Sequence, residues 1–285
     1  MTPDVKLCTN EKIVQDYSVD FWGQDLVSQN QAPRNSERTL ERTGGEVMIF
    51  SLILAGGVGN RMGNVEKPKQ FLEICGKPII IYTLENFCEN HKSEKIIVLC
   101  PKEWIGYTEN LIREYLSEYE SYIVVLEGGS TRNETLMNGI EYIKKEYGMD
   151  SETIIITHDA ARPFINDRII NENISETIKS GAATTAIPAT DTILYCPDKK
   201  KVDKITDRSE LFQCQTPQTF FAKQLYDMYN QLSDEEKEIL TDASGILVKN
   251  GVKVALVQGE TYNIKITYQS DLAVAETYLK MLGRV

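Results

Sequence analysis

The sequence is poor in the residues that build metal centres and nucleophilic triads. Its 285 residues include only two histidines, and its six cysteines form no C-x-x-C pair. Structural zinc sites draw on closely spaced Cys and His ligands, so this spacing argues against such a site and indicates reduced thiols rather than a disulfide framework. Two histidines also leave little scope for a Ser-His-Asp or Cys-His catalytic set.

The chain also lacks a basic surplus and a membrane-length apolar run. It carries 31 Lys and Arg against 42 Asp and Glu, a net charge of -11 at pH 7. Nucleic acids and anionic membranes both bind basic faces, so neither is an expected partner. No apolar segment reaches the length of a membrane span and no secretory signal opens the chain, which together predict a cytoplasmic protein.

Glycines cluster in one early stretch, residues 51–71, which reads SLILAGGVGNRMGNVEKPKQF. The stretch begins within an apolar run, 48–54, that has the length and aliphatic content of a strand buried on both faces. Gly56, Gly57 and Gly59 then permit positive φ and remove side chains, so successive backbone N–H groups can face one concavity. Such a concavity suits a phosphate group.

Cations follow this glycine turn, at Arg61, Lys67 and Lys69. Backbone donors beside several cations predict a cradle for a polyphosphate. A turn that merely connects a strand to the next element is the alternative interpretation. Two familiar cradles are excluded, because a dinucleotide fingerprint lacks its third glycine here and no G-x-x-x-x-G-K-[ST] motif can be placed.

Downstream, predicted strands alternate with predicted helices. Apolar runs predict strands at 95–100, 122–126, 153–157 and 182–187, and helical spacing predicts helices at 79–90, 104–118, 133–147 and 166–180. Alternation of this kind implies right-handed crossovers and a mainly parallel sheet, with ligands beyond the carboxyl ends of the strands.

After residue 188 the strict alternation ends. We predict a hairpin from strands at 192–196 and 202–206, which flank a polar turn at 197–201. The remaining predicted elements are helices at 222–231 and 233–239, a helix beginning at 241–242, strands at 253–258 and 262–267, and a final helix at 271–282 capped by Ser270.

Polar residues follow two of the predicted strands. The segment from Gly128 to Arg132 opens a helix and offers N–H donors to a base or a phosphate, although a plain capped turn explains it equally well. Asp159 ends another strand, where a carboxylate beside a triphosphate fits the needs of Mg²⁺. The alternative is that Asp159 caps a turn or pairs with Arg162.

Five motifs carry a resemblance to a known family. L-A-G-G-x-G-x-R-M at 54–62, P-K-Q-F at 68–71, H-D-A-A-R-P at 158–163, Q-T-P-Q at 215–218 and N-I-K at 263–265 occur in the order seen in the methylerythritol-phosphate cytidylyltransferase family, which has a ribitol-phosphate branch. The resemblance covers about residues 48–282. It implies an α/β, Rossmann-like nucleotidyltransferase fold, a mainly parallel twisted sheet flanked by helices, with a β-arm for dimerisation at about 188–220.

The resemblance further implies transfer of a cytidylyl group from CTP to a polyol phosphate, with Mg²⁺ as cofactor and Asp159 as its ligand. The implied catalytic residues are Arg61, Lys69, Asp159, Arg162 and Lys265. The implied CTP-binding residues are Leu54, Ala55, Gly56, Gly57, Gly59, Gly129, Arg132 and Thr135. The implied acceptor-binding residues are Thr192, Arg208, Thr241 and Lys265, with Arg208 reaching the active site of a second subunit in a homodimer. His158 is expected to orient its neighbours rather than act as a base.

Two acceptors remain open. Tyr262 and Ala243 stand where methylerythritol-phosphate enzymes usually carry acidic residues, which favours D-ribitol 5-phosphate. Ala161 follows the methylerythritol pattern and keeps 2-C-methyl-D-erythritol 4-phosphate as the alternative. The acceptor would decide whether the product serves cell-wall or capsule polymers or isoprenoids.

Other classes of function are also considered. A nucleotide-binding regulatory protein without turnover would keep the same fold, whereas an NAD-dependent reductase is disfavoured by the missing fingerprint glycine. Residues 1–47 differ in composition from the rest and are interpreted as a loosely ordered extension without chemistry. The alternative for this extension is a docking peptide that uses Phe21 and Trp22.

Overall fold

The computed structural model describes residues 47–57, 67–240 and 242–284. The predicted extension, up to residue 46, and the predicted site residues Gly59, Arg61 and Thr241 lie outside the described residues. Predictions that concern them therefore stay predictions.

A seven-stranded sheet forms the centre of the described chain. The described strands, in chain order, are β1 (Ile49–Leu54), β2 (Glu73–Ile74), β3 (Lys77–Pro78), β4 (Lys95–Cys100), β5 (Ile123–Glu127), β6 (Ile154–Asp159), β7 (Ala182–Pro188), β8 (Leu194–Tyr195), β9 (Lys204–Ile205), β10 (Phe212–Phe221) and β11 (Ala255–Gln258). Two pairs of short strands, β2 with β3 and β8 with β9, form small sheets of their own. The main sheet has the order β11-β7-β10-β6-β1-β4-β5, and β10 is its antiparallel member among the residues described. The predicted mainly parallel α/β sheet is confirmed.

Helices cover both faces of this sheet. They are α1 (Ile79–Asn90), α2 (Ile105–Tyr115), α3 (Arg132–Glu146), α4 (Asp167–Ser180), α5 (Ala222–Asn230), α6 (Asp234–Ile239), α7 (Ala243–Lys249) and α8 (Ser270–Met281). Local chemistry sets several of their starts: the Thr131 side chain accepts from Glu134 N, and Ser233 with Glu236 forms the predicted capping box. No helix within the described ranges is both long and apolar enough to cross a membrane.

Alternate residues of β1 supply two separate cores. Phe50 and Leu52 pack with α3 and α5 on one face of the sheet, and Ile53 packs with α1, α2 and α4 on the other. All three side chains are fully buried, and each contributes about 1.5–3 kcal/mol relative to an exposed side chain. Burial on both faces explains why the strand reads as a continuous apolar run rather than as an alternating one.

The sequence-based prediction missed β10, which lies between β6 and β7 in the sheet. This strand contains Pro217, and the pairing of β10 with β7 shifts register between Cys214 and Gln218. Proline cannot donate a ladder hydrogen bond, so it is tolerated in a strand where the ladder is interrupted. The interruption hides the strand from pattern analysis and turns the Q-T-P-Q motif toward the edge of the sheet that carries Asp159.

Two predictions near the C-terminus are wrong. The predicted strand at 262–267 has no regular secondary structure, because its Ile264 N donates to Tyr262 O within the segment and its Ile266 N donates to Ala161 O instead of to a strand. Ser270 does not cap α8 but is its first residue. The Asp271 carboxylate accepts from the backbone N–H groups of Thr267 and Tyr268, and so fixes the chain that leads into α8.

The predicted hairpin is confirmed, since β8 and β9 pair antiparallel with Leu194 opposite Ile205. Its strands are shorter than predicted, and the turn between them includes Lys199 at φ 57°. Whether this hairpin acts as a dimerisation arm stays a prediction.

We predict that α3 tolerates no larger side chain at Gly139. A Cβ there would lie 3.0 Å from Leu52 Cδ2 and 3.3 Å from Leu99 Cδ1, so Gly139→Val should lower the free energy of unfolding by about 1–3 kcal/mol through overpacking. Urea denaturation measures the change. The matched control is Gly106→Val in α2, where an added Cβ meets nothing within 4 Å; an equal loss in both variants would contradict the packing argument.

Candidate active site

A cavity of about 250 Å³ opens beyond the carboxyl ends of β1 and β6, beside the start of α3. Its walls come from five regions of the chain and consist of Leu54, Gly56, Gly57, Lys69, Gln70, Gly129, Ser130, Thr131, Arg132, Thr135, Asp159, Ala160, Ala161 and Lys265. Of the predicted catalytic and CTP-binding residues that are described, only Ala55 and Arg162 do not line it. The structure thus brings the separate motifs together.

Asp159 lies at the centre of the charges in this cavity. Lys265 Nζ is 2.9 Å from its Oδ2, Arg162 Nε is 3.6 Å from the same oxygen, and Arg132 Nε is 3.7 Å from Oδ1. Burial opposes ionisation of the carboxyl, but the positive charges of Arg132, Lys265 and Arg162 outweigh it and hold the pKa of Asp159 below its usual range. Asp159 is therefore an anion at neutral pH. The ion pair between Asp159 and Arg162, which the sequence analysis gave as the alternative to a metal-binding role, is also present.

Arg162 supports Asp159 from behind the cavity. It is buried, and burial lowers the pKa of its guanidinium although Asp159 acts in the opposite direction. Its Nη1 donates to Asn263 O at 2.8 Å, and its backbone N–H donates to Asp159 O at 3.0 Å. Arg162 therefore ties the end of β6 to the segment that carries Lys265.

His158 faces the opposite side of β6 from Asp159 and is fully buried. Burial lowers the pKa of its imidazole to about 4, so the ring is neutral at pH 7. Its two nitrogens contact Arg162 O at 3.1 Å and Thr216 Oγ1 at 3.0 Å. With both nitrogens occupied, the ring orients its neighbours, in the role that the sequence analysis predicted for it.

A buried cation, Lys69, lies against the glycine turn. Lys69 begins a short 3-10 turn and is only 8% exposed, and a Cβ added to Gly57 would lie 3.8 Å from its Cε. Gln70 Nε2 donates to Ala55 O at 2.5 Å and so fixes the path of the turn. The positive end of Lys69 is therefore held close to a backbone without side chains, as a phosphate site requires.

The opposite wall of the cavity is formed by Gly129 and Thr135. Thr135 Oγ1 accepts from Gly129 N at 3.0 Å and donates to Thr131 O at 2.8 Å. A Cβ on Gly129 would overlap Glu134 and would lie 2.8 Å from Thr135 N, so only glycine allows the chain to approach the helix so closely. The cavity wall at Gly129 is therefore backbone without a side chain, packed directly against the start of α3.

Gln218 is a site-supporting residue to which the sequence analysis gave no role. Its fully buried amide accepts from Arg132 Nη2 at 3.4 Å and donates to Asp242 Oδ1 at 3.1 Å and Ser244 Oγ at 2.8 Å. It thereby connects the guanidinium of Arg132 with the start of α7. Its place in the Q-T-P-Q motif was the available signal, but the partners of Gln218 lie far away in sequence.

Several predicted residues lie elsewhere. Thr192 and Arg208 are exposed near the hairpin, where Arg208 Nη1 donates to Thr190 O at 2.7 Å, and neither lines the cavity. Tyr262 and Ala243, the two positions that favoured D-ribitol 5-phosphate over the alternative acceptor, also do not line the cavity. Tyr262 OH accepts from Asn166 Nδ2 at 3.0 Å, and Ala243 is buried in the core.

The residues present fit a single Mg²⁺ ligand rather than a complete protein cage. The described part of the chain holds no group of three or more His, Cys, Asp or Glu side chains placed to bind a metal ion. Mg²⁺ commonly takes one or two carboxylates and completes its shell with phosphate oxygens and water. Asp159 can supply one such carboxylate at the edge of the cavity.

The chain is similar to known proteins in sequence. The family model of IspD, described as 2-C-methyl-D-erythritol 4-phosphate cytidylyltransferase, matches residues 49–281. The chain is 47% identical over 236 residues to the ribitol-5-phosphate cytidylyltransferase of Lactiplantibacillus plantarum, covering 82% of this chain and 99% of that protein.

Solved structures of proteins named for this activity are also similar to this chain in fold. The 4-diphosphocytidyl-2C-methyl-D-erythritol synthase of Anaerococcus prevotii has a TM-score of 0.66 and 28% identity, covering 82% of this chain and 96% of its own. The 2-C-methyl-D-erythritol 4-phosphate cytidylyltransferase of Francisella tularensis has a TM-score of 0.67 and 28% identity, covering 81% and 99%.

The ion-pair cluster predicts a pH-dependent effect of Asp159→Asn. Because the folded-state pKa of Asp159 lies below the unfolded value of about 3.9, its ionised form stabilises the fold above that pH, and the contribution is lost as pH falls toward the folded-state pKa. The variant should therefore be less stable than wild type at pH 7, with a gap that narrows below about pH 4. Urea denaturation from pH 7 to pH 3 measures the gap; a gap that stays constant would contradict the charge assignment.

Proposed function

This chain belongs to the IspD family of cytidylyltransferases, and on that premise we propose that it transfers a cytidylyl group from CTP to D-ribitol 5-phosphate, forming CDP-ribitol and pyrophosphate. The observation that carries the proposal is the cavity whose lining includes three cations, Lys69, Arg132 and Lys265, and one carboxylate, Asp159. Three cations against one anion give a positive cavity on an acidic protein. A triphosphate and a phosphate monoester are both anions of the kind that such a cavity attracts.

The chemistry requires positioning and charge neutralisation more than a protein nucleophile. A phosphate oxygen of the acceptor attacks the α-phosphorus of CTP, the bond from that phosphorus to the β-phosphate bridging oxygen breaks, and pyrophosphate leaves with the electron pair. The attacking oxygen is already ionised at neutral pH, so no general base is needed. Cations held in place before the reaction stabilise the charge that develops on the transferred group.

We assign Lys69 and the turn at Gly56 and Gly57 to the triphosphate, because their backbone and ammonium groups converge on one side of the cavity. The wall formed by Gly129 and Thr135 receives the cytosine ring. Lys265, paired with Asp159 at 2.9 Å, is placed to meet the acceptor phosphate. Arg61 and Gly59 would join the triphosphate site, and Thr241 the acceptor site.

Asp159 would hold Mg²⁺, which when bound neutralises the triphosphate and orients its α-phosphate. The surrounding cations of Arg132, Arg162 and Lys265 keep this carboxylate ionised and fixed in orientation. Mg²⁺ is the cofactor of the proposed reaction.

D-ribitol 5-phosphate is favoured as acceptor by the relative that shares 47% of its residues with this chain. The family model and the solved structures carry the name of methylerythritol-phosphate enzymes, so 2-C-methyl-D-erythritol 4-phosphate is the second candidate. We propose that the enzyme works in the cytoplasm and supplies CDP-ribitol for teichoic acid or capsule synthesis.

A homodimer would complete the acceptor site. The hairpin of β8 and β9 exposes Leu194 (50%), Tyr195 (55%) and Ile205 (63%), a density of apolar surface that suits an interface. Thr192 and Arg208 lie beside this hairpin and outside the cavity of their own chain. We propose that the hairpin extends to a second subunit and brings Arg208 to the acceptor phosphate there.

We predict that the purified protein releases pyrophosphate from CTP and Mg²⁺ only when a polyol phosphate is present. The kcat/KM for D-ribitol 5-phosphate should exceed that for 2-C-methyl-D-erythritol 4-phosphate by at least about tenfold, because the two acceptors differ in chain length, in the number of hydroxyl groups and in a methyl branch. A coupled pyrophosphate assay measures both. A reversed preference would move the protein to the second candidate, and absence of release with either acceptor would defeat the proposal.

A shared site predicts complementation between two inactive variants. Lys69→Ala should lower turnover by about 10²-fold or more through loss of a preorganised charge, and Arg208→Ala should lose acceptor binding. Mixed dimers of the two variants contain one intact site, so mixing should restore activity up to about one quarter of wild type if subunits pair at random and each intact site acts alone. The control takes each variant alone through the same mixing procedure, which should leave it inactive. No recovery in dimers shown to be mixed would contradict the shared site.

A further inference from the structure

Lys265 lines the cavity and pairs with Asp159 from a segment that lacks regular secondary structure. Two backbone contacts hold this segment against the end of β6: Ile266 N donates to Ala161 O at 2.9 Å, and Asn263 O accepts from Arg162 Nη1 at 2.8 Å. In a strand or a helix, the regular backbone hydrogen bonds would hold a catalytic side chain in place. Here other groups must supply that rigidity.

A pair of buried amides supplies it. Gln215 Nε2 donates to Glu260 O at 2.8 Å, and Asn263 Nδ2 donates both to Gln215 Oε1 at 3.2 Å and to Thr216 O at 3.0 Å. Gln215 is 5% exposed and Asn263 is fully buried. We call this pair the amide clamp. Neither of its residues lines the cavity, so their contacts fasten the Lys265 segment to β10 without touching the proposed substrates.

Gly259 provides the space that the clamp needs. A Cβ at this position would overlap Oε1 of Gln215 and would lie 3.1 Å from its Cδ. Gly259 N donates to Ala186 O, so its backbone is fixed at the end of β11 and cannot easily withdraw. The side chain of Gln215 therefore occupies the volume that any other residue at 259 would fill.

We propose that Gln215 and Asn263 are positioning residues that act through Lys265, an inference that rests on the proposed cytidylyltransfer. Loss of either amide leaves the nucleotide wall intact and releases the segment that carries the ammonium group. A displacement of that group by a fraction of an ångström to 1 Å weakens its contact with the charge that develops in the reaction, so kcat falls more than CTP affinity.

A double-mutant cycle tests this role. Gln215→Ala and Asn263→Ala should each lower kcat by about tenfold or more in the wild-type background, with KM for CTP changed less than about threefold. In a Lys265→Ala background the same substitutions should cost little further, because the group they position is gone. Equal losses of kcat in both backgrounds would show a general structural role and overturn the proposal.

Gly259→Ala offers the same test with little risk to folding. The added methyl group overlaps the flexible end of Gln215 and lies 3.0 Å from Thr185 Cγ2, both side chains rather than backbone, so the variant should fold and should lose about the same factor in kcat as Gln215→Ala. In the Gln215→Ala background, Gly259→Ala should have a much smaller effect on kcat, because only the 3.0 Å contact with Thr185 Cγ2 remains. The matched control is Gln213→Ala, which removes an exposed glutamine from the same strand and should leave kcat unchanged.

Hydrogen exchange separates this proposal from the proposed function. The amides of Asn263 and Ile266, bonded to Glu260 O and Ala161 O, should exchange faster in Gln215→Ala and Gly259→Ala, but not in Gln213→Ala. If wild type releases no pyrophosphate with any acceptor, the proposed function fails while this measurement still decides whether the clamp holds the segment. Unchanged exchange in both clamp variants would overturn the proposal even in an active enzyme.

Discussion

The ionised carboxylate of Asp159 is the group around which the site assembles. Three cations approach it from separate parts of the chain: Arg132 from the start of α3, Arg162 from the turn after β6, and Lys265 from the irregular segment before α8. A buried carboxylate without such partners would be neutralised or expelled to water. The same attraction that makes burial of Asp159 tolerable also concentrates positive charge where a polyphosphate can use it.

The sheet determines how these groups meet. β1 and β6 are parallel neighbours, so the glycine turn after Leu54 and the carboxylate at Asp159 emerge from the same edge. The antiparallel β10 lies next to β6 and brings Thr216 to the same place, where its hydroxyl accepts from Asp159 N at 3.2 Å and contacts His158 Nδ1 at 3.0 Å. One inserted strand therefore links the end of β6 to the amide clamp and, through Gln218, to α7.

Sequence reasoning predicted the parts of this structure that depend on local signals. Continuous apolar runs predicted the parallel strands, and helical spacing from residue 79 predicted the start of α1. The glycine turn, Asp159 and Lys265 were predicted as site residues through motifs that follow strands or through the resemblance. Their convergence on one cavity agrees with those predictions.

Features set by contacts distant in sequence were not predicted. β10 pairs with β6 across more than fifty residues, and its proline and register shift remove the alternation that marks a strand. The segment at 262–267 alternates like a strand, yet Asn263 bonds to Thr216, 47 residues earlier, and holds it as a loop. The roles of Gln215 and Gln218 likewise depend on partners that no local pattern specifies.

The most direct measurement is a crystal structure of the protein with CTP and Mg²⁺. The account predicts the triphosphate in the cavity between the glycine turn and Asp159, with a phosphate oxygen about 3 Å from Lys69 Nζ and the metal ion on the Asp159 carboxylate. A triphosphate bound away from both Lys69 and Asp159 would contradict it.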